Sequence, residues 1–419
     1  MSLFVFLLWI LTLVNIIRVT LLKRVGTEMV GWFLFQLITT LLQIRFEGFV
    51  WQMTPIYVIG LFWILFYFTK LKKTSSVFMV VLFFISSLLI VVFSTPELPL
   101  AKGRYVVGTT KIYMIDEGRD RELPTQIWYP SDNSQGKSPE LWFEGSDVTD
   151  LLAKEHYLFP FMLSQLTEVK TNSYKDIEVA DGEFPVVVLS HGWSSFKGLH
   201  INLCEMLASE GYIVIAFDHT GASMVTKRHT GQVVYLDESL LDFDHLVEDG
   251  KQLIELFTSD LAYIMDHLEY FNNEHKILYH HMAIDNVALI GHSTGGGAIV
   301  NYAMDHELTA LVGMDPWVEP IEVKPLDEPL LTIRSESWSE GPNNEHLTII
   351  TDMVYEPKNS KHQDFTMAYK MSPVFGFLGY TSGKIRISYE ELILSFLNQH
   401  QKNLKNGQVL DEIPIKKLR

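Results

Sequence analysis

The chain has 419 residues, enough for one large domain and something more, and a net charge of −17 at pH 7. Seven of its 33 Lys/Arg and two of its 50 Asp/Glu fall in residues 1–94, which leaves 26 basic against 48 acidic residues in the remainder. A body this acidic excludes a nucleic-acid-binding surface, and Cys204, the single cysteine, excludes an intrachain disulfide.

The first 94 residues form a different solvent class from the rest. Leu3–Leu22, Phe49–Thr69 and Ser76–Phe93 are apolar runs of 20, 21 and 18 residues. At ~1.5 Å per residue each spans roughly 27–32 Å, about one hydrocarbon core. Met29–Ile44, with 16 residues, is short for a span. The first run lacks a basic leader and a small-residue cleavage site, so it is expected to stay on the chain. Four helices would put Lys23 and Arg24 on the same side as Lys70, Lys72 and Lys73. Positive residues favour the cytoplasm, so the N-terminus and everything after Phe93 are expected outside, on a plasma-membrane anchor. The expected division is a transmembrane anchor over 1–94 and a second domain over 95–419.

Beyond the anchor, Ser94–Pro99 is a stiff exit with two prolines. Arg104–Asp116 and Thr125–Tyr129 read as strands. Leu141–Lys175 mixes aromatics with short helical patterns and reads as a buried helix pair or an interfacial lid. Phe184–Ser190 is a strand that runs into His191-Gly192-Trp193. Leu199–Gly211 reads as a helix, Tyr212–Phe217 as a strand, acidic Leu236–Gly250 as solvated surface and Lys251–Asn272 as a long helix. Val287–Ile290 is an aliphatic run followed by Gly291-His292-Ser293-Thr294-Gly295, which fits G-x-S-x-G. A serine nucleophile on a tight strand-to-helix turn needs small neighbours two residues to either side, and the helix that follows aims its free N–H groups at developing negative charge. Thr309–Met314, Pro329–Arg334 and Leu347–Val354 read as further strands and Tyr389–Gln399 as the closing helix. Alternating strands and helices predict an α/β fold with a mostly parallel sheet covered on both faces, the α/β-hydrolase arrangement.

A serine nucleophile requires a base, and the base requires an acid to fix its tautomer. Asp315 and Glu336 each follow the end of a strand downstream of Ser293, and either is a candidate acid. His362 is the candidate base, with His346 its nearest competitor. The N–H groups after His191-Gly192 and at Thr294 are candidate oxyanion donors. No metal-ligand spacing such as H-E-x-x-H or C-x-x-C is present, so neither a metal nor another cofactor is expected.

At this point the sequence resembles the α/β-hydrolase platelet-activating factor acetylhydrolases. The stretches that carry the resemblance are Tyr129-Pro130-Ser131, Leu189–Gly192, Ala208–Ala216, Ile290–Ser293 with its glycines, Met314–Trp317 and His362–Phe365, spread over about 100–400. The resemblance implies Ser293 as nucleophile, Asp315 as acid, His362 as base and the amides of Trp193 and Thr294 as oxyanion hole. Thr294 stands where the family commonly has an aromatic residue, and the apolar anchor is not part of the animal enzymes. Bacterial polyester and triglyceride esterases share a similar G-H-S-x-G-G. The expected activity is therefore serine ester hydrolysis of lipid or small esters, of the acetyl-phospholipid type or as a general lipase or carboxylesterase. The reading from another class is a membrane sensor or scaffold with a hydrolase-like domain.

Overall fold

The computed structural model describes residues 2–20, 28–69, 73–143, 145–155, 157–338, 340–351, 353–371, 385–404 and 415–417. Contacts divide the chain into two compact units. One holds the described residues up to Thr95 together with Leu152–Gln165, and the other holds the rest.

The first unit is built on four apolar helices, α1 (Leu3–Thr20), α2 (Glu28–Glu47), α3 (Thr54–Thr69) and α4 (Lys73–Val92). By length and composition, α1 and α2 are able to cross a membrane. The run expected to be short over Met29–Ile44 therefore extends through Glu47, and its 20 residues reach about 30 Å. The run expected over Phe49–Thr69 is instead interrupted at its start. Gly48 turns the chain at φ 80, Trp51–Met53 forms a 3-10 turn, and α3 begins at Thr54 with Pro55 in its first turn, where a missing N–H breaks no helical bond. Lys23, Arg24, Lys70 and Lys72, on which the expected orientation rests, lie outside the described residues.

This unit is apolar outside and buries a few polar side chains within an apolar core. Leu34, Phe35, Ile38 and Leu41 of α2 and Val77, Phe84, Leu88 and Val91 of α4 are exposed, whereas Thr12, Asn15, Gln36 and Gln43 are buried. Asn15 Nδ2 donates to Gln36 Oε1 at 2.7 Å, and Gln36 Nε2 donates to Thr12 Oγ1 at 3.0 Å. The Glu47 carboxylate accepts the first free N–H groups of α1, from Phe4 at 3.0 Å and Val5 at 3.2 Å, where an anion also meets the positive end of the helix dipole.

The second unit is organised by one sheet. Its strands are β1 (Val106–Asp116), β2 (Arg121–Ser131), β3 (Pro139–Leu141), β4 (Lys170–Lys175), β5 (Phe184–Ser190), β6 (Ile213–Phe217), β9 (Met282–His292), β10 (Ala310–Met314), β11 (Leu330–Ile333), β12 (Val354–Pro357) and β13 (Ile415–Lys417). They lie in the order β13-β12-β11-β10-β9-β5-β6-β2-β1-β4-β3, and a separate ribbon pairs β7 (Val225–Lys227) with β8 (Val233–Tyr235). The central pairs β6-β5, β5-β9, β9-β10, β10-β11 and β11-β12 are parallel, while β1-β2 is an antiparallel hairpin. The central strands read as unbroken aliphatic runs because helices cover both their faces, so no position alternates to water. Those helices are α6 (Ile201–Ser209), α7 (Leu246–Asp266), α8 (Leu268–Glu274), α9 (Thr294–Ala303) and α11 (Arg386–Gln401). α7 buries Leu253, Ile254, Phe257, Leu261 and Ile264, the i, i+3/i+4 stripe of a helix with one face on a core.

Three sequence expectations are corrected. Leu347–Val354 is not one strand: α10 (Pro342–Ile350) precedes β12, started by Gly341 at φ 95 and by Pro342 at its first position. Leu141–Lys175 is not a buried helix pair, and Phe159 and Phe161 within it are exposed. It contains the end of β3, α5 (Asp147–Glu155), a 3-10 stretch over Pro160–Glu168 and β4, which pairs with β1. The long helix expected from Lys251 begins at Leu246, inside the segment expected to be solvated surface, and ends at Asp266.

Candidate active site

Parallel pairing aligns the carboxyl ends of four strands, where side chains leave the sheet toward a common crevice. Ser190 of β5 stands opposite Gly291 of β9, Gly291 opposite Gly313 of β10, and Met314 opposite Ile333 of β11. The residues that follow these ends are the sequence-derived candidates: His191–Trp193 after β5, Ser293 after β9 and Asp315 after β10.

Ser293 sits between β9 and α9 at φ 54, ψ −120, a backbone conformation that costs a non-glycine residue of order 1–3 kcal/mol. The surrounding bonds hold it there. Its N–H donates to Met314 O at 3.1 Å, and its carbonyl accepts from Trp317 N–H at 2.9 Å and Gly297 N–H at 3.1 Å. The flanking glycines are required by closeness: a Cβ on Gly291 would lie 2.3 Å from Gly295 O, and one on Gly295 would lie 2.3 Å from Ser190 O. Thr294 opens α9, so its N–H has no intrahelical partner.

Asp315 is buried and also left-handed, at φ 47. Its Oδ1 accepts Ser335 N–H at 2.8 Å and its Oδ2 accepts Ser335 Oγ–H at 2.6 Å. The same Oδ2 accepts His362 Nδ1–H at 2.7 Å. The other candidates are not brought to this point. Glu336 caps the Asn359 N–H with an exposed side chain, and His346 Nδ1 bonds Val318 O at 3.1 Å.

His362 begins a 3-10 turn, His362–Phe365, and its ring lies between two others. Trp338 stacks on one face at 4.3 Å and 10°, and His292 on the other at 4.7 Å and 28°. His292 Nε2–H donates to His362 O at 3.1 Å, and His200 Nδ1–H donates to Phe365 O at 3.0 Å, so two buried imidazoles grip the turn by its carbonyls. Burial holds His292 well below the usual imidazole range, with His362 and His200 adding to the effect, and burial brings His200 down to about 4. Both are therefore neutral at neutral pH. Trp338, His200 and the second role of His292 were not found by sequence reasoning. His292 occupies the variable position of G-x-S-x-G, where the motif carries no expectation.

Ser293, Thr294, His362 and Trp193 all border one cavity of ≈ 580 Å³, within the range of small-molecule sites. Its walls include Leu241, Phe243, Leu246, Trp317 and Trp338, with Glu319 and Glu340 among the polar groups. Leu241, Phe243 and Leu246 come from the segment expected to be solvated surface, which is a second correction there: its acids mask three apolar residues that line the cavity. Among the described residues no group of three or more His, Cys, Asp or Glu side chains is disposed to hold a metal ion.

The chain matches the family model for platelet-activating factor acetylhydrolase, isoform II, over residues 90–249, and the model for serine aminopeptidase, S33, over 183–351. Among curated proteins, the platelet-activating factor acetylhydrolase of Cavia porcellus is 22% identical over 336 residues, covering 72% of this chain and 73% of its own. That of Bos taurus is 24% identical over 349 residues, covering 73% and 77%. The chain resembles the platelet-activating factor acetylhydrolases and has the α/β-hydrolase fold. It is a carboxylic ester hydrolase of the serine type. A ferulic acid esterase from Streptomyces cinnamoneus shares the α/β-hydrolase fold, with a TM-score of 0.66 at 18% identity over 78% of this chain and 100% of that one.

Proposed function

We propose that this platelet-activating factor acetylhydrolase-like hydrolase is a membrane-anchored enzyme that cleaves phospholipid or other lipid acyl esters through Ser293, His362 and Asp315. The observation that carries the reading is the 2.7 Å bond between the buried Asp315 carboxylate and His362, at a cavity that Ser293 also borders. Because the carboxylate only accepts, Nδ1 of His362 carries its proton and Nε2 is left with the lone pair a general base needs. Ser293 Oγ then forms a bond to the ester carbonyl carbon as its proton passes to His362 Nε2. The carbonyl π electrons move onto oxygen, and the amides of Trp193 and Thr294 receive that charge. Collapse of the tetrahedral adduct breaks the bond to the alcohol, which leaves with the proton from His362. Water repeats the sequence on the acyl-enzyme and releases the acid.

The substrate class is supported by the walls of the cavity and by the anchor. Leu241, Phe243, Leu246 and three tryptophans suit an acyl chain or glyceryl backbone better than a highly polar ester. An exterior of exposed leucine, isoleucine and phenylalanine around buried, mutually bonded Thr12, Asn15 and Gln36 suits helices whose solvent is lipid.

A fluorophosphonate probe and a panel of short- and long-acyl phospholipids and simple esters test this reading. Ser293→Ala is expected to abolish both labelling and hydrolysis while the protein still folds. Activity above ~10⁻³ of wild type would move the nucleophile to another serine, since losing a triad member typically costs several orders of magnitude. Hydrolysis confined to water-soluble esters would make the protein a general carboxylesterase.

A further inference from the structure

We infer that two buried imidazoles, His191 and His219, are positioning residues that aim the Trp193 amide at the oxyanion. The inference rests on the proposed roles of Ser293 as nucleophile and Trp193 N–H as oxyanion donor. His191 Nδ1 lies 2.7 Å from Gly192 O, a carbonyl that can only accept, so Nδ1 carries the proton. Its Nε2 then holds a lone pair and accepts from Ser223 Oγ–H at 3.0 Å. Gly192 C=O and Trp193 N–H belong to one planar trans peptide, in which the two bonds point in opposite directions. Holding the carbonyl therefore fixes the direction of the amide. Ser195 N–H donates to the same carbonyl at 3.1 Å from the other side of the turn. Gly192 itself abuts the nucleophile, since a Cβ there would lie 2.9 Å from Ser293 Cβ.

The strand end behind this peptide is fixed by a second, fully buried Ser-His-Asp chain. Asp260 Oδ2 accepts His219 Nδ1–H at 3.0 Å, which leaves Nε2 to accept Ser190 Oγ–H at 2.9 Å. Ser190, His219 and Asp260 are each 0% exposed, so this chain has no access to a substrate. Its charge is held in place by Arg121, with Nε at 2.8 Å and Nη2 at 2.7 Å from the Asp260 oxygens, and by Arg119 Nη1 at 2.9 Å. Burial favours neutral forms of both histidines, and in Asp260 the bonds and charges of His219 and Arg121 outweigh burial and keep the carboxyl below its usual range. The loop is also sewn to the turn after β6, by Ser194 N–H to Ala222 O at 3.0 Å and Met224 N–H to Ser195 O at 2.9 Å. The edge of the His191 ring meets His219 at 5.0 Å and 76°. The two imidazoles thus join β5, β6 and α7 beneath one peptide.

The test measures kcat per active site, with sites counted by exhaustive fluorophosphonate labelling of the full-length protein in detergent. It also measures inhibition by a trifluoromethyl ketone, which adds Ser293 Oγ to its carbonyl and leaves an oxyanion. His191→Ala should lower kcat per site by roughly 10- to 100-fold, less than the ~10²–10³ for deleting an oxyanion donor outright. KM should stay within about threefold, and ketone affinity should fall in parallel with kcat. His191→Asn, whose Nδ2–H can reach the Gly192 carbonyl, should recover most of the loss. An unchanged kcat per site in His191→Ala, or a His191→Asn as impaired as His191→Ala, overturns the inference. If His191→Ala does not fold, Ser223→Ala keeps the ring but removes the hydroxyl that holds it at Nε2, and an unaltered kcat per site there overturns the inference equally. Labelling that persists in Ser293→Ala would indict the nucleophile instead and is read separately.

Discussion

Asp315 is fixed before it meets the imidazole. Its left-handed backbone, the Ser335 N–H on Oδ1 and the Ser335 hydroxyl on Oδ2 leave the carboxylate one orientation in which to receive His362 Nδ1–H. Asp315→Asn keeps the shape and offers an N–H where only an acceptor serves, so it favours the wrong tautomer. It should lower kcat by ~10³–10⁴, whereas Glu336→Gln, which changes an exposed cap on Asn359 N–H, should stay within about threefold of wild type. Steady-state kinetics on a chromogenic ester checks this, and the reverse ranking would hand the acid's role to Glu336. Spacing along the chain left this choice open for a physical reason. Both residues follow the carboxyl ends of neighbouring strands, and chain order does not say which of them turns left-handed toward the imidazole. The serine was legible because its strained turn demands glycines within two residues, a local requirement that leaves a local pattern. The stacking of His362 between Trp338 and His292 joins residues 24 and 70 positions away, and no local pattern records it.

At the scale of elements, the legible parts are those whose burial is uniform. β5, β9 and β10 announce themselves as aliphatic runs because both faces are covered. Leu347–Ile350 looks like such a run and is the end of α10, because Gly341 and Pro342 set a helix start that outweighs a short β-branched stretch. β4 was missed for the opposite reason: Lys170–Lys175 is polar, a strand between β1 and the edge strand β3 that is tied down by one buried acid. Glu205 of α6 accepts Asn172 N–H and Asn172 Nδ2–H at 2.7 Å each, and Ser173 Oγ–H, all from β4. Burial pushes its carboxyl up to about 7, against bonds from Asn172 and Ser173 that act to lower it. The folded state then binds a proton that the unfolded chain releases near 4.5, so stability declines as pH rises between those values and levels off above them. A full shift of this size corresponds to on the order of 3 kcal/mol. Urea midpoints of the detergent-solubilised protein should fall from pH 5 to pH 7.5, and Glu205→Gln should flatten that slope. Equal slopes for the two proteins would remove Glu205 as its source.

For the whole molecule, the proposed anchor raises the question of which side of a membrane the hydrolase works on. The four apolar helices bury bonded polar side chains and expose leucine, isoleucine and phenylalanine, an arrangement that water would penalise and hydrocarbon would not. With four spans, Lys23 and Arg24 share a side with Lys70, Lys72 and Lys73, five basic residues against Arg45 in the intervening segment. Such bias in short loops sets orientation toward a positive cytoplasmic face, so the proposed four-span anchor would leave the chain after Phe93 outside. The extension of α2 to Glu47 supports the four-span count, because its 20 residues reach across a hydrocarbon core that 16 would barely match. An outside domain of this size needs no disulfide, since a fold with so large a buried core gains its stability from burial. Protease added to intact cells or spheroplasts should therefore release the hydrolase, and fluorophosphonates that do not cross membranes should label Ser293 without permeabilisation. If cleavage and labelling both require a permeabilised membrane, the hydrolase faces the cytoplasm. One of the four helices then does not span, and α3, whose helix begins only at Thr54, is the first to re-examine.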